Sequence, residues 1–285
     1  MPFQNIIISF IGSGVMGEAM IQGLLNKELV RPEQIIAADP LESRGRELGS
    51  KYGVRFTTDN NEAAEAADLL VLSVKPQVLQ EVMPVVRRGA HSAKLILSII
   101  AGAKIRTIAD GVANASVVRA MPNTPAQIGQ GITVWTATPE VAHQQRQQAE
   151  ALLGAFGEQI YVDDERYLDM ATALSGTGPA YIFLFMEALI DAGVHMGFSR
   201  RDAQRLVLQT MRGSIEYAAA SGLHPAELRN QVTSPGGTSA EAIYHLEKGG
   251  LRTVISRAVW AAYQRSVALG GGEKGRNPDK LDGDR

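Results

Sequence analysis

The chain has 285 residues, 45% of them hydrophobic, which is enough for one large or two moderate domains with real cores. A formal net charge of -2 and a pI of about 6.2 exclude a global field that would draw it to nucleic acid or an anionic membrane. The absence of cysteine excludes a disulfide framework, thiolate catalysis and a zinc site built on sulfur, and no metal site is expected.

The N-terminus reads as a strand of the fold rather than a leader, because its apolar run has no basic flank or cleavage site. No stretch approaches the roughly 20 apolar residues of a membrane span, so a cytoplasmic protein without a membrane partner is expected. Over the first 160 residues, short apolar runs alternate with helical patterns, the pattern of parallel β-α-β units. Strands are predicted at Ile6–Ile11, Gln34–Ala38, Arg55–Thr57, Leu69–Val74, Leu95–Ile100, Ser116–Met121 and Gly131–Trp135. Helices are predicted at Glu18–Asn26, Ser43–Tyr52, Asn61–Ala67 and Glu140–Phe156, the last with Pro139 in its opening turn.

Beyond Tyr161, strand patterns give way to long helical periods. Pro179 opens a helix that is apolar on nearly every face from Tyr181 to Met186, which points to burial against a second subunit. Ser199 and Asp202 cap the next helix, and Leu251 to Leu269 forms a third. The expected division is a dinucleotide-binding domain at 1–163, a helical substrate-binding and dimerisation domain at 164–270, and a disordered tail at 271–285.

Gly12-Ser13-Gly14-Val15-Met16-Gly17 fits G-x-G-x-x-G between a strand and a helix. In that setting the first glycine permits the turn, the second lets backbone approach a pyrophosphate, and the third lets helix pack on strand. The motif makes the first domain an α/β Rossmann-type unit followed by an all-α domain. Asp39 ends the second strand, where a carboxylate accepts from an adenosine ribose; Ser43 and Arg44 follow, and an arginine there can pair with a 2′-phosphate. NADH and NADPH both remain open.

Acid-base candidates are thin. His91, His143, His195, His224 and His245 are scattered, and Glu187 and Asp191 read as a polar stripe on an apolar helix. Lys75 lies at the carboxyl end of a buried strand, where open α/β sheets bind ligands.

The segments VLSVKPQ, SIIAG, RAMPNTP, ALSGTGPAY and VTSPGGTS, in that order after the glycine loop, resemble pyrroline-5-carboxylate reductases from residue 6 to about 269. The resemblance implies transfer of hydride from NADPH or NADH to the C=N carbon of 1-pyrroline-5-carboxylate, giving L-proline. It implies a cofactor cleft lined by Val74, Lys75, Pro76, Ala101 and Gly102, with Asn123, Ser175 and Gly176 near the nicotinamide end. It also implies a homodimer through the C-terminal helices, with rings of ten chains common in such enzymes.

Under this reading the loop of Thr233, Ser234, Gly236, Gly237 and Thr238 binds the substrate carboxylate through exposed backbone amides. Ser239 takes a position usually held by threonine, and its hydroxyl is expected to hydrogen-bond the ring nitrogen as the catalytic group. Three alternatives stand beside this reading. A β-hydroxyacid dehydrogenase would need a helical lysine, and none occurs between Tyr167 and Gly197. The others are a reductase of another cyclic imine carboxylate and a non-catalytic dinucleotide-binding dimer.

Overall fold

The computed structural model describes residues 2–271; the expected tail, apart from Gly271, lies outside the described residues. Eight strands, β1 (Ile8–Ile11), β2 (Ile35–Ala38), β3 (Arg55–Thr57), β4 (Leu69–Leu72), β5 (Leu95–Ser98), β6 (Val117–Met121), β7 (Gly131–Ala137) and β8 (Gly157–Tyr161), form one sheet. Their spatial order is β3-β2-β1-β4-β5-β6-β7-β8. Reversal of chain direction across the sheet between β1 and β4 opens a crevice at their carboxyl ends, where the glycine loop leaves β1.

Helices α1 (Val15–Asn26), α2 (Glu42–Tyr52), α3 (Asn60–Glu65), α4 (Leu79–Ala90), α5 (Ile105–Val112) and α6 (His143–Leu153) cover the sheet. The four residues of β1, β2, β4 and β5 are all buried, as continuous Ile/Leu/Val runs require when both faces are covered. One core cluster gathers Phe10, Met20, Leu24 and Leu152, the other Ile11, Val86, Ile96 and Ile108.

Three expectations need correction here. The β6–β7 pair is antiparallel, because a short 3₁₀ turn at Thr124–Ile128, ending on left-handed Gly129, replaces a crossover helix. The helix expected from Glu140 starts at His143, leaving Pro139 in a turn before it, and stops at Leu153. The chain then enters β8, which pairs parallel with β7.

A further helical run holds α7 (Arg166–Ala171), a π-helical turn (Thr172–Gly176) and α8 (Gly178–His195). Contrary to the sequence reading, Arg166–His195 is long and apolar enough to cross a membrane by length and composition, with a hydropathy of 1.4. Then come α9 (Arg200–Ser221), α10 (Pro225–Gln231), α11 (Thr238–Lys248) and α12 (Leu251–Leu269).

By contacts the chain divides into two compact units, Met1–Thr177 with Ala262–Arg285, and Gly178–Ala261. Within the second unit α8 packs on α9, where a Cβ on Gly193 would stand 3.0 Å from that of Ala203. Much of the remaining apolar surface is open: Phe183 is 61% and Leu184 67% exposed. The first unit takes in the end of α12. Buried Ser266 donates to Asp169 at 2.7 Å, and Asp169 and Glu165 flank buried Arg119 of β6 at 3.5 and 2.7 Å.

Candidate functional site

The glycine loop assigns a separate physical task to each glycine. Gly12 has φ +90°, and a Cβ there would come within 2.8 Å of the Val74 side chain and 2.9 Å of its amide. A Cβ on Gly17 would reach 2.7 Å from the Gly12 carbonyl, so the third glycine is the helix-to-strand contact. At Gly14 nothing lies within 4 Å. That space, beside an α1 N-terminus with no side-chain cap, is what a pyrophosphate needs. The loop therefore fits a dinucleotide.

Its frame is hydrogen-bonded from three strands. Gly12 N–H donates to Ala38 at 2.9 Å, and the Ser73 hydroxyl donates to the Gly12 carbonyl at 2.6 Å. The Ser13 hydroxyl donates to Ala38 at 3.2 Å, and Ser13 N–H to Asp39 Oδ2 at 3.2 Å. Arg44 Nε donates to the Ser13 carbonyl at 2.9 Å. Val15 is exposed and Met16 half-buried in the first turn of α1, while Ser43 is exposed at the start of α2.

Glu18, one residue past the motif, accepts from Arg44, from Lys51 Nζ at 2.8 Å and from the Tyr52 hydroxyl at 2.9 Å. Burial opposes its ionisation, but hydrogen bonds from Lys51, Arg44 and Tyr52 outweigh that and hold its pKa at about 2. Sequence reasoning assigned Glu18 no role, since a glutamate in a first helical turn is ordinary dipole complementation.

After β4, Val74 packs against Gly12, Lys75 is exposed, and Pro76 begins a 3₁₀ turn leading to α4. After β5, Ala101 is half-buried and Gly102 buried; Gly102 has φ +75°, and a Cβ on it would meet Leu269 at 2.7 Å. Seating the end of α12 is thus reason enough for that glycine. A cavity of about 500 Å³ includes Pro76, Ala101 and Gly102 but otherwise runs along α4 and α5, without any residue of Gly12–Gly17.

At the end of β6, the structure brings Asn123 and Ser175 together. Asn123 Nδ2 donates to the Ser175 carbonyl at 3.3 Å, and its Oδ1 accepts from Ile132 N–H at 2.9 Å. Ser175 and Gly176 lie in the π-helical turn, where widened winding removes the usual partner of a carbonyl. Gly176 faces Met121, whose methyl would be 2.7 Å from a Cβ there.

The loop from Thr233 to Ser239 belongs to the second compact unit. Thr233 caps back onto the Arg229 carbonyl at 2.6 Å, and Gly237 N–H donates to Ser234 at 3.0 Å. Gly236 has φ +71°, which turns the chain, and Gly237 is the N-cap of α11 without a side-chain cap. Thr238 and Ser239 thus begin a helix whose first amides lack side-chain partners, an arrangement suited to a carboxylate.

Two of the scattered histidines have local tasks instead. His224 Nδ1 accepts from Ala226 N–H at 3.1 Å, and His245 pairs with Glu241 at 3.3 Å. Asp191 pairs with Arg200 at 3.0 Å.

Comparison with known proteins matches residues 165–269 to the family described as pyrroline-5-carboxylate reductase dimerisation. Residues 7–102 match the family described as NADP oxidoreductase, coenzyme F420-dependent. The pyrroline-5-carboxylate reductase of Synechocystis is 42% identical over 93% of this chain and 99% of its own length. That of Pseudomonas aeruginosa is 40% identical over 92% of this chain and 96% of its own. Among solved structures, the Plasmodium falciparum pyrroline carboxylate reductase with NADP bound superposes with a TM-score of 0.86. It is 32% identical, covering 94% of this chain and 99% of that one. By identity and coverage together, this chain belongs to the pyrroline-5-carboxylate reductase family.

Proposed function

We infer that this chain reduces the C=N bond of 1-pyrroline-5-carboxylate to L-proline with NADPH or NADH, the last step of proline biosynthesis. The carrying observation is the open space at Gly14 within a loop where Gly12 and Gly17 are both sterically required. Bound NAD(P)H supplies the hydride that reaches the imine carbon.

The chain's own residues bind and orient. The Gly12–Gly17 loop and the first amides of α1 take the pyrophosphate, and Asp39, Ser43 and Arg44 surround the adenosine ribose position. Val74, Lys75, Pro76 and Ala101 border the crevice, and Asn123, Ser175 and Gly176 frame its nicotinamide end. Gly236, Gly237 and Thr238 hold the substrate carboxylate, with Thr233 and Ser234 shaping the loop. Ser239 Oγ, which has no hydrogen-bond partner among the described residues, is assigned to the ring nitrogen as its basicity rises. A protonated imine is already electrophilic, so solvent can deliver the proton without a dedicated histidine.

The domain division at residues 163 and 164 is proposed as the functional one, supported by the dimerisation match that begins at 165. Homodimerisation is assigned to the C-terminal helices, supported by the exposed apolar face of α8, and rings of ten chains are the proposed larger assembly. A partner chain on that face, rather than a bilayer, accounts for its hydropathy, and a cytoplasmic location fits a reaction drawing on the nicotinamide pool.

The test follows nicotinamide absorbance with 1-pyrroline-5-carboxylate, NADH and NADPH in parallel, alongside the six-membered homologue. Turnover of the five-membered ring is expected; no oxidation with either nucleotide would sink the assignment.

A further inference from the structure

All three nitrogen groups of Arg44 are engaged. Nε donates to the Ser13 carbonyl at 2.9 Å, Nη1 to Glu47 at 2.8 Å and Nη2 to Glu18. Its side chain is only 19% exposed, as is that of Glu18. Lys51 pairs with the same Glu18 carboxylate at 2.8 Å. Asp39 Oδ2 accepts from Ser13 N–H, while Oδ1 accepts from Leu41 N–H at 3.0 Å. The backbone of Ser13 is therefore gripped at both of its polar groups, by Asp39 at the N–H and by Arg44 at the carbonyl.

The charge balance follows. Arg44 and Lys51 face Glu18, Glu47 and Asp39, which leaves the cluster one negative charge in excess. An incoming 2′-phosphate would meet a fixed carboxylate while the guanidinium is already neutralised by two others. A ribose 2′-hydroxyl would instead find an oriented acceptor, because each carboxylate oxygen retains a second lone pair.

We propose that Glu18 is the positioning residue for coenzyme selectivity: by clamping Arg44 it leaves Asp39 to read the adenosine ribose, and the chain prefers NADH to NADPH. The proposal rests on the Gly12–Gly17 loop being a dinucleotide site. A glutamate that stays ionised down to a pH of about 2 keeps the clamp closed throughout the range of any assay.

The experiment is calorimetric titration of the full-length protein with NADH and NADPH separately, without substrate. NADH should bind about tenfold or more tightly than NADPH. In Glu18→Gln the gap should narrow by about tenfold through tighter NADPH binding, with NADH changed by less than about threefold. Adding Arg44→Gln to Glu18→Gln should abolish that gain, whereas Glu18→Asp, which keeps a carboxylate, should stay near the parent ratio. A merely structural Glu18 would weaken both nucleotides together, and that result overturns the proposal.

Equal or tighter NADPH binding by the unmodified protein also overturns it, even if Glu18→Gln fails to fold. Binding of neither nucleotide would overturn the dinucleotide reading itself, an outcome distinct from a wrong preference.

Discussion

Asn123 joins two elements by its two amide ends, donating from Nδ2 to the Ser175 carbonyl at 3.3 Å and accepting at Oδ1 from Ile132 N–H at 2.9 Å. One side chain thus supports the π-helical turn and the start of β7 together. Asn123→Ala should cost about 1–3 kcal/mol through unmet backbone groups. Asn123→Asp keeps the acceptor for Ile132 but turns a carboxylate oxygen toward the Ser175 carbonyl, so it should lose at least as much; urea unfolding of both variants measures the difference.

The glycines of the nucleotide loop should separate into two classes. Gly12→Ala forces a side chain into φ +90° against Val74 and should destabilise by about 2–4 kcal/mol. Gly14→Ala meets nothing in the protein and should leave the melting temperature close to its starting value, while weakening dinucleotide binding by about tenfold or more. Thermal unfolding and nucleotide titration, run side by side, distinguish the two.

Ser239→Ala should lower kcat by about 10²-fold, the order typical of a single stabilising donor, with the cofactor Kd nearly unchanged. Steady-state kinetics with titration of the coenzyme checks it, and an unchanged kcat removes Ser239 from the chemistry.

Acid should reveal the Glu18 cluster. A carboxyl held at about 2 when folded, against an ordinary value of 4.5, contributes stability that is full above about pH 4.5 and is lost as pH falls toward 2. The stability difference between the parent and Glu18→Gln should therefore be flat from pH 8 to about 5 and shrink below about 4.5, as read by denaturant unfolding across pH.

Placing a charge on the α8 face, as in Phe183→Asp, should dissociate the dimer without unfolding either compact unit, since Phe183 is 61% exposed within the chain. Sedimentation velocity and circular dichroism report the two properties separately.

The glycine loop, the buried strands and the apolar α8 could be read from the sequence because each is a local pattern: glycine spacing, an unbroken apolar run, a helix without a polar face. Helix α4 was not read, since Pro76 precedes it and Pro84 interrupts it, although the helix accommodates Pro84 at an exposed position. The antiparallel β7 depends on a short turn rather than on strand composition, so nothing in its own residues announces its direction. At the site, Asp39 and Arg44 were identified as opposing influences on the ribose. Their balance could not be read, because the ion pair that occupies Arg44 comes from Glu18, a residue of another helix brought to it only by the fold.

The Ser266–Asp169 hydrogen bond spans 97 positions and sets an order on biosynthesis. The first compact unit resumes only at Ala262, after the whole second unit has been translated. At about 5–20 residues per second, Asp169 emerges many seconds before its partner. During that interval Asp169 and Arg119 stand without the helix end that later covers them, and a chain stalled before Ala262 carries an incomplete nucleotide-binding unit.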